Sequence, residues 1–190
     1  MKFYFISIIT IMVLAAGTVT AQHTNIGIKG GLNSYNINSD NGSGFDSKIG
    51  LHIGLLGHIH LKDQIAFQPE LVYSMQGTES GNTDINLDYI NIPLLFQYMY
   101  DNGFRIQAGP QLGFLLNAKA ENGSSVDIKD DFKTMDLGLS VGASYVHTPT
   151  GFGVDARYNL GLSDISENSS NELTNRGVQL GVFYLFGHRN

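Results

Sequence analysis

The chain has 190 residues and no cysteine, so one domain is expected and disulfides cannot hold it together after export. Lys and Arg number 11 against 17 Asp and Glu, a formal net charge of −6 with no basic run, which excludes an electrostatic nucleic-acid binder. The 23 glycines follow no collagen period; beside 11% aromatic residues they suggest sheets with crowded backbone on one side and bulky rings on the other.

In chain order, residues 1–21 come first and read as a cleaved export signal. Met1-Lys2 supply a positive start, Phe3 to Ala16 is almost wholly apolar, and Val19-Thr20-Ala21 place small residues before a cut at Gln22. The apolar run is short for a spanning helix, and no charged stop-transfer cluster follows it. The domain to be explained is therefore residues 22–190.

From Gln22 onward the dominant signal is period-two alternation, the pattern of a two-faced strand. The first segment alternates Ile26, Ile28 and Leu32 with Gly27, Lys29, Gly31 and Asn33. The second is the clearest: Ile49, Leu51, Ile53, Leu55, Ile59 and Leu61 share one parity, and Lys48, Gly50, His52, Gly54, His58 and His60 the other, with Leu56 as the exception. The third sets Ile65, Phe67, Leu71, Tyr73 and Met75 against Gln64, Gln68, Glu70, Ser74 and Gln76. In the fourth, Ile90, Ile92, Leu94, Phe96 and Tyr98 share a face while Leu87 and Tyr89 fall on the other parity, so a bulge is expected near Tyr89. Four more follow, centred on Phe104 to Leu116, Leu137 to Tyr145, Phe152 to Leu162 and Val178 to Phe186.

Eight strands of about ten residues or more are each long enough to cross a bilayer at a tilt. Their connections alternate as well. Leu61-Lys62-Asp63, Asp101-Asn102-Gly103 and Thr148-Pro149-Thr150 read as tight turns, whereas Asn36 to Phe45, Gly77 to Asn86, Lys119 to Asp130 and Asp164 to Leu173 read as longer polar loops. An up-and-down barrel with both termini in the periplasm needs three short turns and four outer loops in that order. The expected fold is all-β, an eight-stranded antiparallel up-and-down transmembrane β-barrel.

Alternation alone does not say which face points outward. The polar face is poor in charge and rich in Gly, Ser, Gln, Asn and His, which suits a crowded lumen better than a water-facing exterior. The apolar face is too bulky for the inside of an eight-stranded barrel, and Tyr73, Tyr98, Tyr145, Tyr158 and Tyr184 fall toward strand ends, where aromatic girdles form. The rival is a soluble calycin-like ligand-binding barrel with the two faces inverted.

These segments carry a family resemblance. Phe67-Gln68-Pro69-Glu70-Leu71-Val72-Tyr73-Ser74, Tyr89-Ile90-Asn91-Ile92-Pro93-Leu94-Leu95, Ala108-Gly109-Pro110-Gln111-Leu112-Gly113, Asp136-Leu137-Gly138-Leu139 and Ala156-Arg157-Tyr158-Asn159-Leu160-Gly161-Leu162 resemble the porin-family, PorT-like small outer-membrane β-barrel proteins of Bacteroidota. The resemblance implies residence in the cell outer membrane, contact with its lipid and lipopolysaccharide, and delivery by the barrel-insertion machinery. It implies no reaction and no cofactor. Phe186 is followed by Gly187-His188-Arg189-Asn190, whereas many such barrels end on the aromatic residue.

Six charges fall on the expected lumen face: Lys29, Lys48, Glu70, Arg105, Asp155 and Arg157. Unpaired charge is costly in a low-dielectric barrel, so cross-strand pairing is expected and a structural network is favoured over a proton or solute path. His58 and His60 share a face, but no third ligand is placed beside them, so they read as polar lumen residues and not as a metal site. Ser74 and Ser140 lie on the same face without a Gly-x-Ser-x-Gly elbow, so no catalytic residue is assigned. The long loops are acidic (Asp40, Asp46, Glu79, Asp84, Glu121, Asp130, Asp164 and Glu172 among them), which fits solvation beside an anionic leaflet or a partner-binding surface. The reading is an integral barrel with a structural or interaction role; the alternative is a narrow channel for ions or small solutes.

Overall fold

The computed structural model describes residues 24–39, 46–167 and 172–187. The expected export signal, the centre of the first outer loop, residues 168–171 of the last outer loop and the last three residues lie outside them. The strands are β1 (Thr24–Ser39), β2 (Asp46–Lys62), β3 (Ile65–Ser80), β4 (Thr83–Met99), β5 (Phe104–Glu121), β6 (Ser125–Asp127), β7 (Met135–His147), β8 (Phe152–Gly161) and β9 (Leu173–Leu185). Among the described residues, eight of these form one closed antiparallel sheet in the cyclic order β1-β2-β3-β4-β5-β7-β8-β9. The ends of the chain close it, with β1 and β9 paired from Gly27↔Leu185 to Ser39↔Leu173. Closure gives every barrel strand two partners, which is what a sheet in hydrocarbon requires. β6 is a short arm that folds back on the far end of β5.

The two parities separate as the sequence pattern predicts. Ile26, Leu51, Leu180 and Val182 face outward, with 73% of Ile49 and 67% of Ile53 exposed on the barrel wall. The opposite parity is buried and largely polar, including Lys29, Asn33, His52, Gln68, Glu70, Gln97, Arg105 and Arg157. An apolar outer wall around a polar filling is the inside-out arrangement of a barrel in lipid, not of a soluble one. Short turns and both described chain ends lie at one end, here the periplasmic end, where the outward rings pack together: Phe67 on Phe96, Tyr98 on Tyr100, and Phe152 on Tyr184, at 4.8–5.3 Å between centroids. Tyr98 and Tyr184 belong to this belt.

Two glycines are required by close approach. Phe183 lies over its cross-strand partner Gly153, and Tyr35 over Gly177; a Cβ at either glycine would sit within 2.5 Å of the ring. Both rings therefore lie flat across the lumen wall.

The outer end differs from the loop pattern expected of it. β3 runs to Ser80 and β4 starts at Thr83, so residues 77–86 are mostly paired ladder with Gly81-Asn82 at the tip. β5 likewise continues to Glu121 and pairs with β6. Beyond the membrane neither face of a hairpin needs to be apolar, so these strands carry no alternation to reveal them. The bulge expected near Tyr89 is present, but the extra residue is Leu116 on the partner strand: Asp88 pairs with Asn117 and Tyr89 with Leu115. On β5 the slip moves the lumen face from odd to even positions beyond Leu116, so that Ala118 joins Leu115 inside, while β4 keeps Leu87 and Tyr89 on the same lumen-facing parity as Asn91 and Gln97.

Candidate functional site

The lumen is filled in layers. At the periplasmic end Leu56, Val146, Phe183 and Leu185 form a small apolar cluster. At the outer mouth Ile37, Leu87, Tyr89, Leu115 and Ala118 form a second, roofed by Phe132 and Ile165 from the loops beside β7 and after β8. Between them lies the charged layer.

Its centre is a crossbar. Arg157 of β8 donates from Nη1 and Nη2 to the two carboxylate oxygens of Glu70 of β3, both at 2.6 Å. In an eight-membered ring of strands, β3 and β8 stand four places apart whichever way one counts, so this bidentate bond spans the lumen diameter. Lys29 of β1, midway between them, donates to Glu70 at 3.3 Å and to Asp155 at 3.2 Å. Arg157 Nε lies 3.0 Å from Asp155. These four side chains are 0–2% exposed. Two cations sharing two carboxylates, with a fork matched to one of them, is the geometry in which buried charge is best compensated.

The other two expected members stand apart. Lys48 pairs with Asp84 at 2.8 Å, toward the outer end and partly exposed. Arg105 is buried, yet among the described residues it has no carboxylate partner; its Nη1 lies 3.5 Å from His58 Nδ1. The His58 ring meets that of His60 edge-on at 4.6 Å.

Neutral side chains extend the layer. Gln68 donates to Glu70 at 2.6 Å, and Gln97 donates to Gln68 at 3.0 Å and to Gln107 at 2.7 Å. Toward the outer mouth Asn159 donates to Tyr35 at 2.7 Å, Ser140 bonds Asn159 and Gln111, and Asn33 donates to Ser74 at 2.9 Å. Ser74 and Ser140 are thus joined to amides. The sequence shows no chain among these glutamines; the signal it carries is that Gln68, Gln97 and Gln107 each fall on the polar parity of their own strand. Phe132 and Ile165 were missed, although each is a lone apolar residue between polar neighbours in a polar loop.

Outside the membrane the two loops are clipped. Lys133 donates to Asp164 at 2.6 Å, and Asp164 accepts the amides of Ser166 and Leu173. The Lys133 bond, followed by the Leu173 amide, holds the Asp164 carboxyl at about 2.

The profile of the outer membrane protein beta-barrel domain matches residues 20–167. The chain belongs to that family. No curated protein matches it significantly. Among solved structures it is similar to Neisserial surface protein A, with 16% identity over 86% of this chain and 99% of that one and a TM-score of 0.61. It is similar also to Ail, the attachment invasion locus protein of Yersinia pestis, with 16% identity over 87% of this chain and 100% of that one and a TM-score of 0.54. At these identities the likeness is one of fold. Family and fold together make the chain a barrel of the outer membrane.

Proposed function

We propose that this barrel has a structural or interaction role and is closed to solutes. The observation that carries this reading is the Arg157–Glu70 crossbar, a bidentate bond across the full lumen width, backed by apolar clusters at both ends. An open path needs a continuous wetted bore, and eight strands leave room for little beyond their own side chains. What remains available to partners is the outer end, where β3, β4 and β5 continue as paired ladder.

Ail has been crystallised with the heparin analogue sucrose octasulfate. The outer segments of this chain carry Asp46, Glu79, Asp84, Glu121, Asp130 and Asp131. That charge disfavours a polyanion and favours divalent-bridged lipopolysaccharide or a basic protein surface. The narrower PorT-like relationship rests on the sequence segments quoted above. Export with removal of residues 1–21 rests on the Lys2, apolar-run and Val19-Thr20-Ala21 pattern.

One preparation tests the reading. Protein taken from an outer-membrane fraction is expected to have the intact mass of residues 22–190 and to give no stable open level in planar bilayers. A retained leader would overturn the cleavage proposal. A persistent ohmic conductance from the wild-type protein would replace the closed barrel with a narrow solute path.

A further inference from the structure

We propose that the lumen contains a binding site for one small inorganic anion of the chloride class, built around Arg105 with Gln107 and Ser144 as its neutral donors. The first observation is charge. Buried in the lumen layer are three cations, Lys29, Arg105 and Arg157, and two carboxylates, Glu70 and Asp155, so the layer carries 3 − 2 = +1. Lys29 and Arg157 occupy both carboxylates between them. Arg105 has only the His58 ring nitrogen as partner among the described residues. The nearby acid is Asp155, opposite Ser144 in the ladder, and its Oδ2 is turned toward Lys29 and Arg157. Asp136 is held by Ser163 and Asn175 near the outer end of β7. It lies 144 − 136 = 8 residues from Ser144, about 26 Å along a strand, too far to neutralise Arg105. A buried guanidinium left without a counter-charge is costly, and a small anion removes that cost.

The second observation is the direction of the amide chain, and it is independent of the first. Glu70 accepts, so Gln68 must present its NH2 to it and its oxygen to Gln97. Gln97 then gives its NH2 to both Gln68 and Gln107, and Gln107 accepts through its oxygen. The amide flips are thereby fixed from one end, and the Gln107 NH2 is left over with no partner. Gln107 follows Arg105 by two on β5 and shares its lumen face. Ser144, the ladder partner of Arg105, has a buried hydroxyl that is also unpartnered. A guanidinium, an amide NH2 and a hydroxyl therefore lie on one stretch of the lumen, beside two leftover oxygen acceptors, Gln97 Oε1 and the Asp155 Oδ1 that neither Lys29 nor Arg157 takes up. The set is donor-rich, as an anion site must be. Val146, two residues on from Ser144 toward the turn, already belongs to the apolar periplasmic cluster, so a bulky or multiply charged anion has no way in.

The test uses the whole exported protein in detergent, crystallised with bromide replacing chloride. An anomalous bromide peak is expected within hydrogen-bond reach of Arg105. The midpoint of the heat-induced gel shift is expected to be higher by about 2 °C or more in chloride or bromide than in gluconate at equal ionic strength. Arg105→Gln should abolish both effects while the barrel still forms. If R105Q does not fold, the wild-type peak and the wild-type anion ranking decide the matter. Equal midpoints in all three anions with no bromide peak at Arg105 would overturn the site, as would bromide found only on the outside of the barrel.

Discussion

The middle of the lumen and its outer mouth are both sealed, by opposite chemistry. The Glu70 layer closes the bore with directional bonds among four charged side chains, each dependent on the others. The Leu87 cluster closes it with non-directional packing, roofed by two loop residues. A polar lock fails when any one member is removed, because its partners are left buried and uncompensated. An apolar roof loses only the contacts of the atoms deleted. One barrel wall thus supports a brittle seal and a tolerant one.

Glu70→Ala should break the contrast most sharply. It leaves Arg157 and Lys29 sharing Asp155 alone, at an expected cost of about 3–5 kcal/mol, read from urea unfolding in detergent. The near-isosteric Glu70→Gln should still cost about 2 kcal/mol or more, since shape is kept and charge is not. A neutral result for both would mean that the crossbar contributes shape only.

Leu87→Ala comes next, at about 2–3 kcal/mol, because the side chain is fully buried. Here the near-isosteric change should behave differently, with Leu87→Met costing less than about 1.5 kcal/mol in the same titration. If L87M were as damaging as E70Q, the distinction between the two seals would collapse.

The smallest effect is at the loop clip. Asp164 is held at about 2, below its ordinary value near 4, so its contribution is present above pH 4 and fades as pH falls toward 2. The pair is partly exposed and screened, so the barrel should stay intact through this window. The carboxyl resonance of Asp164 is expected to titrate near pH 2 in NMR, and Lys133→Ala should move it upward. A wild-type midpoint near 4 would show that the two loops are not clipped.

Much of this was written in the alternation of side chains. Parity places Lys29, Glu70, Asp155 and Arg157 on one face and Ile49, Ile53 and Val182 on the other, and closure by eight strands follows from their number and length. Parity gives the face of a residue but not its height along the bore. Height depends on the stagger between strands, which no single strand encodes. For that reason Lys48 was expected in the same layer as Glu70, yet it sits opposite Tyr35 near the outer end and pairs with Asp84. Arg105 was expected to have a carboxylate, and its level in the barrel offers it glutamines, a serine and a histidine instead. Leu87 and Tyr89 suggest a bulge by their parity, yet β4 keeps one lumen-facing parity throughout and the two are simply an apolar stretch of that face; the bulge at this level belongs to Leu116 on the partner strand. The outer ladder was illegible because its strands have no apolar face.

The seam between β1 and β9 sets the timing of assembly. Gly27 meets Leu185 across 185 − 27 = 158 residues, whereas the hairpins on either side of every short turn join residues only a few positions apart. Loop-closure entropy makes that pairing the last to be rewarded, and folding slows as such long-range contacts dominate. Until it forms, β1 and β9 are two bare edges, each with a row of unpaired amides and carbonyls. The slow step in the life of this protein is therefore a meeting of its own two ends, and the nascent sheet needs shelter for as long as that meeting takes.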